Sequence, residues 1–221
     1  MGIAERRKRE KEQRRKAIID AAERVFFSLG QNVATMDDVA KEAELSKGTL
    51  YLYFKSKEEL YLAIHLRGIQ LLGSLFEKAI QKEKTGIEKI RVIGETYYQF
   101  SHDYPDYFNA LLYFDSRDLD IIEDNATIAD WAEKAYKALD FVREALVIGI
   151  NDKTIRPDID PEKTAVILWA QSSGMIHLIA KKGNHLEKKH NVNKASLIDY
   201  AFQLTYQFLR NKESHPSGST D

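Results

Sequence analysis

TMDDVAKEAELSKGTLYLYFKSK, residues Thr35 to Lys57, decides the fold. It reads as two short helices joined by a tight turn, then the start of a longer third. Thr35 is a natural N-cap, and Asp38 three residues on completes a capping box. Val39, Ala40 and Ala43 then keep helical spacing. Glu44, Leu45 and Ser46 form the turn, with Leu45 plugging the angle between the helices. The second helix opens near Lys47 and Gly48, and its Leu50 and Phe54, four apart, share a face. Ser56 and Glu59 make a second capping box at the start of the long helix. A helix, a short turn and a helix form the geometry that lays a second helix in a DNA groove.

Upstream, Ile18, Ala22, Val25, Phe26 and Leu29 form a clean apolar stripe that Gly30 terminates. IIDAAERVFFSLG (18–30) followed by TMDDVAKEAELSKGTLYLYFKSKEEL resembles the helix-turn-helix of TetR-type transcriptional repressors, over about a quarter of the chain. One position departs from the usual form: Glu44 stands where the family most often has Gly, and a left-handed turn there costs a non-glycine ~1–2 kcal/mol.

The resemblance implies a DNA-contacting set. Thr35 and Lys57 would meet phosphate from helix N-termini, where free N–H groups favour an anion. Ser46, Lys47, Gly48, Thr49, Tyr51, Leu52 and Tyr53 would form the groove-facing surface, with Tyr53 donating to phosphate and Thr49 and Tyr51 reaching base edges. It also implies a homodimer on a palindromic operator of double-stranded DNA, released by a small effector.

Charge distribution agrees with a DNA-facing head. The chain has 221 residues and a formal net charge of −1. Residues 1–57 hold 13 Lys/Arg against 9 Asp/Glu, and the remainder 20 against 25. A basic head on an acidic body places phosphate contact on the head. Eight basic residues crowd ERRKREKEQRRK, 5–16. That segment reads either as a solvated extension of the first helix or as an arm along the DNA backbone or in its minor groove.

Function classes narrow by absence. Without cysteine there is no disulfide or thiolate chemistry, which fits a cytoplasmic protein, as does the charged N-terminus with no apolar stretch behind it. The most apolar segment, Thr164 to Ala180, is too short and too polar for a membrane span. GxSxG, P-loop, Rossmann and HExxH patterns are missing, so no catalytic residue, metal site or cofactor is expected. His185 and His190, five apart in a polar stretch, are poorly spaced for a metal. His102 reads as a core or rim histidine or a ligand's hydrogen-bond partner.

The rest of the chain reads as helices: 57–84, 87–102, 107–114, 126–151, 161–182 and 194–210, with loops at 116–124 and 183–193. An all-α protein follows, with three N-terminal helices and about six more. The expected domains are 1–57 (arm and DNA-binding head), 58–210 (ligand binding and dimerisation) and 211–221 (disordered tail).

Eight aromatics fall within 97–114. They read as an aromatic core or as the wall of an apolar pocket. The pocket reading takes Tyr97, Phe100, Tyr104, Phe108, Leu111, Trp131, Trp169, Ser172, Met175 and His177, and an apolar effector. Helices 161–182 and 194–210 each carry two apolar faces, which suits one face packed inward and one against a partner subunit. Two other classes stay open: a ligand-independent architectural DNA-binding protein, and a helical enzyme carrying a DNA-binding head.

Overall fold

The computed structural model describes residues 2–115 and 137–212. Among them are nine helices: α1 Ile3–Leu29, α2 Met36–Glu42, α3 Lys47–Tyr53, α4 Lys57–Ile80, α5 Gly86–Asp103, α6 Pro105–Asp115, α7 Lys137–Asn151, α8 Pro161–His190 and α9 Lys194–Leu209. No described residue lies in a strand, and one isolated bridge pairs Ile155 with Arg210. The all-α expectation holds. No described helix is long and apolar enough to cross a membrane.

The described residues fall into two compact units, residues 2–69 with 106–115, and residues 70–105 with 137–212. The first unit is built on α1, whose Ile18, Ile19, Ala21, Ala22, Val25 and Phe26 are buried. Met36, Val39 and Ala40 of α2, Leu50 of α3 and Phe54 just after it complete the three-helix core. α6 belongs to the same unit. Phe27 meets Tyr107 edge to face at 5.3 Å between centroids, and Tyr61 meets Tyr113 at 5.2 Å. Tyr107 donates to Glu23 Oε1 at 2.8 Å, and Gln31 donates to the Tyr113 hydroxyl at 3.0 Å. Several aromatics of the 97–114 cluster therefore clasp α1 and α4.

The second unit packs α5 against α7 through glycine. A Cβ on Gly86 would lie 2.0 Å from the backbone nitrogen of Gly149, so these backbones meet with no room for a side chain. Asp152 and Thr154, just past α7, accept from the Gly86 and Ile87 amides at the start of α5. Those amides have no partner inside their own helix.

Helix ends differ from expectation in two instructive places. α8 does not stop at 182 but continues through the stretch read as a polar connection, to His190. Leu186 and the strong helix formers around it keep the backbone helical, and Lys188, Lys189 and His190 sit where cations suit the helix dipole. Asn191, left-handed at φ 54°, makes the stop. α6 starts at Pro105, not at Tyr107, because proline suits a first helical position. The expected helix from 126 is described only from Lys137; its earlier part, Trp131, the 116–124 loop and tail residues 213–221 lie outside the described residues.

Candidate nucleic-acid interface and cavity

Local hydrogen bonds position the short helices of the first unit. Thr35 Oγ1 accepts from the Asp38 amide, and Asp38 Oδ2 accepts from the Thr35 amide at 2.9 Å and hydroxyl at 2.6 Å. These bonds hold the Asp38 carboxyl below its ordinary pKa. At the turn, Glu44 takes the left-handed conformation, φ 53°, and the Leu45 amide closes on the Ala40 carbonyl at 2.9 Å. The glutamate thus adopts the geometry for which glycine is the easy residue.

α3 is fixed by Ser46, whose Oγ accepts from the Thr49 amide at 3.2 Å and lies 2.8 Å from Thr49 Oγ1. Leu50 and Phe54 point inward with no exposure, while Leu52 is 72% exposed. Lys47 and Gly48 are exposed, and Thr49, Tyr51 and Tyr53 are half-buried. A Cβ on Gly48 would meet nothing within 4 Å. One face of α3 therefore carries the core and the other is open, with a large apolar side chain on it.

Both lysines of the expected contact set also have protein partners. Lys47 pairs with Asp37 of α2 at 2.7 Å, and that carboxylate raises the Lys47 pKa. Lys57 Nζ donates to the carbonyls of Gln31 (2.9 Å) and Ala34 (3.1 Å), tying the 31–34 loop to the start of α4. At that start Ser56 Oγ accepts from the Glu59 amide, but Glu59 reaches the Lys55 amide at 2.6 Å rather than that of Ser56. Arg15, read in the sequence only as part of the basic segment 5–16, stacks over Phe54 at 4.7 Å. An arginine one turn before the first buried residue was the signal for that contact.

α1 begins at Ile3, so the basic segment 5–16 is helical and exposed throughout. Arg6 pairs with Glu10 at 2.8 Å. A helix ~10–12 Å across does not enter a minor groove ~6 Å wide. In this conformation the segment suits the backbone, not the groove floor.

A cavity of about 750 Å³ lies within the second unit, between α5, α7, α8 and α9, with Phe76 at its edge. Of the expected pocket residues it takes in Tyr97, Trp169, Ser172 and Met175. Tyr97 and Trp169 stack at 5.0 Å, and the Tyr97 hydroxyl lies 2.8 Å from Ser173 Oγ. Phe100 is buried outside the lining, Tyr104 is 37% exposed, and His177 is exposed. Phe108 and Leu111 belong to the buried core of the first unit. His102 is exposed at the end of α5, its Nδ1 3.0 Å from the Tyr98 carbonyl. The sequence reading missed the α9 side of the cavity and the first turns of α5. Ile87, Ile90, Gly94 and Tyr97 recur at helical spacing and could have shown the latter.

Residues 18–64 match the family model described as bacterial regulatory proteins, tetR family. Over 94 residues the chain is 35% identical to the HTH-type transcriptional activator FasR of Mycolicibacterium smegmatis, covering 42% of this chain and 43% of FasR, under half of that relative's length. It is 29% identical over 185 residues to the HTH-type transcriptional regulator YhgD of Bacillus subtilis, covering 80% of this chain and 89% of YhgD. The fold is similar to that of the Bacillus subtilis transcriptional regulator FadR solved with stearoyl-CoA, with TM-score 0.65, 18% identity, and coverage of 87% of this chain and 98% of that one. The N-terminal module, residues 18–64, is that of the tetR family of bacterial regulatory proteins.

Proposed function

We propose that the chain is a dimeric transcriptional repressor that binds a palindromic operator through its N-terminal head and is released by a small apolar effector. Residues 1–57 act as the arm and DNA-binding domain, and 58–210 as the effector and dimerisation domain. The open face of α3 supports the reading: Lys47, Gly48 and Leu52 are exposed and Thr49, Tyr51 and Tyr53 half-buried, while Leu50 and Phe54 anchor the helix. Lys57 contributes its amide at the start of α4 to a flanking phosphate, and Thr35, whose own amide and hydroxyl are held by Asp38, positions the first turn of α2 toward another. Because Lys57 Nζ holds the 31–34 loop, its backbone is the better phosphate donor in this arrangement.

Dimerisation is supported by exposed apolar side chains. Val166 and Ile167 on α8 are 54% and 52% exposed, and Leu204 and Phe208 on α9 are 49% and 56% exposed. A second copy covering these faces makes the DNA-binding unit two-fold symmetric, as a palindrome requires.

The effector enters the α5–α9 cavity, whose size suits a small apolar molecule. FadR's stearoyl chain sets a precedent for an apolar-bodied effector on this fold. α4 begins at Lys57 and carries Phe76 at the cavity edge, so a ligand that moves its far end alters the pose of its first turn. A coupling of ~1–3 kcal/mol weakens DNA binding roughly 5–150-fold.

The test is binding to the DNA upstream of the chain's own coding sequence, at fixed salt, with and without a panel of apolar compounds. Specific binding released by one compound is expected. Specific binding that no compound weakens would remove the effector from the account. An architectural protein would bind with weak sequence preference and no release.

A further inference from the structure

The charges and rings around the α5–α9 cavity go beyond its apolar character. Arg91 is the one cation among the described lining residues, against the carboxylates Glu95 and Asp199. That cation is already engaged: Arg91 Nη1 lies 2.8 Å from Glu95 Oε1, and Nη2 lies 3.8 Å from Glu83 Oε1. An anionic head group would have to take Arg91 from two carboxylates and approach Asp199 uncompensated. A coenzyme A head, with several phosphate charges, would need a cluster of Lys and Arg that this lining does not hold.

The rings point the same way. Phe76, Tyr97, Trp169, Phe202 and Tyr206 all line the cavity. The negative face of an aromatic ring attracts an organic cation and offers nothing comparable to an anion, with Trp the best partner. Aromatic faces beside carboxylates, with the lone guanidinium neutralised, are complementary to one ligand class.

We infer that this cavity takes a lipophilic cation, an organic ammonium on an apolar body, in preference to a fatty carboxylate or an acyl coenzyme A. The inference rests on the cavity being the effector site, and it names the head group that the effector carries. The apolar body lies along Ile90, Ile93 and Leu168, and the ammonium sits among the rings toward Glu95 and Asp199.

Calorimetric titration of the full chain, without DNA, with a matched decyl series tests it. The series is decyltrimethylammonium, 1-decanol, decanoate and decanoyl-CoA, each below its aggregation concentration. Decyltrimethylammonium is expected to bind most tightly and decanoyl-CoA most weakly. Glu95 and Arg91 are both about half exposed, so the charge effect is moderated by solvent. Glu95→Gln and Asp199→Asn should each weaken the ammonium roughly threefold. Glu95→Gln should also strengthen decanoate, because it removes the nearer of the two carboxylates that hold Arg91. Both are isosteric changes at exposed positions, and circular dichroism confirms that the variants fold.

Equal or tighter binding of 1-decanol, decanoate or decanoyl-CoA overturns the inference, as does an ammonium affinity that neither variant changes, or no binding by any of the four. The operator assay is read separately. Ammonium binding that fails to release DNA leaves the cavity assignment standing and removes the effector role.

Discussion

Glu44 occupies a backbone conformation that an L-residue adopts at a cost, because its Cβ crowds the next carbonyl. Its side chain is exposed, so no burial offsets that cost. Glu44→Gly should therefore stabilise the chain by about 1 kcal/mol, after the greater unfolded-state freedom of glycine is discounted. Thermal unfolding would show this as a rise of roughly 2–4 °C; an unchanged or lower midpoint would mean that the turn is not strained. His65 makes the opposite kind of statement. Burial pushes its pKa down to about 4, against a partial counter-effect from its bond with the Ala110 carbonyl. The unfolded chain takes up this proton near pH 6.5 and the folded chain only near 4, so the neutral form favours folding above 6.5 and that stability is lost as pH falls through this window. The steepest contribution is roughly 1.4 kcal/mol per pH unit. Urea unfolding between pH 7 and 4 should show a slope that His65→Leu flattens.

At the scale of elements, close approach depends on small residues. Gly86 and Gly149 let α5 and α7 meet backbone to backbone. Gly86→Ala should destabilise the chain by about 1–3 kcal/mol or more, since the obstruction is backbone that cannot rotate aside. Gly48→Ala serves as the contrast, because a methyl there meets open space and alanine is the better helix former, so stability should hold or rise; equal losses from both variants would show that the close contact does not set the cost. These elements also show what was legible in the sequence. Caps and stripes are local, so Thr35 and Gly30 mark helix ends correctly. The end of α8 was misread because polarity at 183–190 is equally consistent with a solvated helix and a loop. The partition of the 97–114 aromatics was not legible at all. Tyr97 and Tyr107 look alike in sequence, yet one lines the cavity and the other donates to Glu23 on α1. Only tertiary placement separates them.

For the whole molecule, the open face of α3 and the exposed apolar faces of α8 and α9 call for different partners. The second should be another copy of this chain. Ile167→Lys with Phe208→Lys should convert a dimer to a monomer in sedimentation at micromolar concentration and weaken operator binding, with helix content unchanged. A dimer that survives both substitutions would move the interface elsewhere. On this account the arm adds a sequence-independent term: its exposed Arg and Lys should strengthen binding to any duplex and steepen its salt dependence. The central claim is that α3 reads sequence as half of a symmetric pair. Its most direct test is selection of bound duplexes from a random library at fixed salt, with the native chain and with Thr49→Ala and Tyr51→Ala. The account predicts enrichment of a two-fold symmetric site whose preferred bases change in the variants. A library that stays random under the native chain, or enriched sites that both variants leave unchanged, would contradict it.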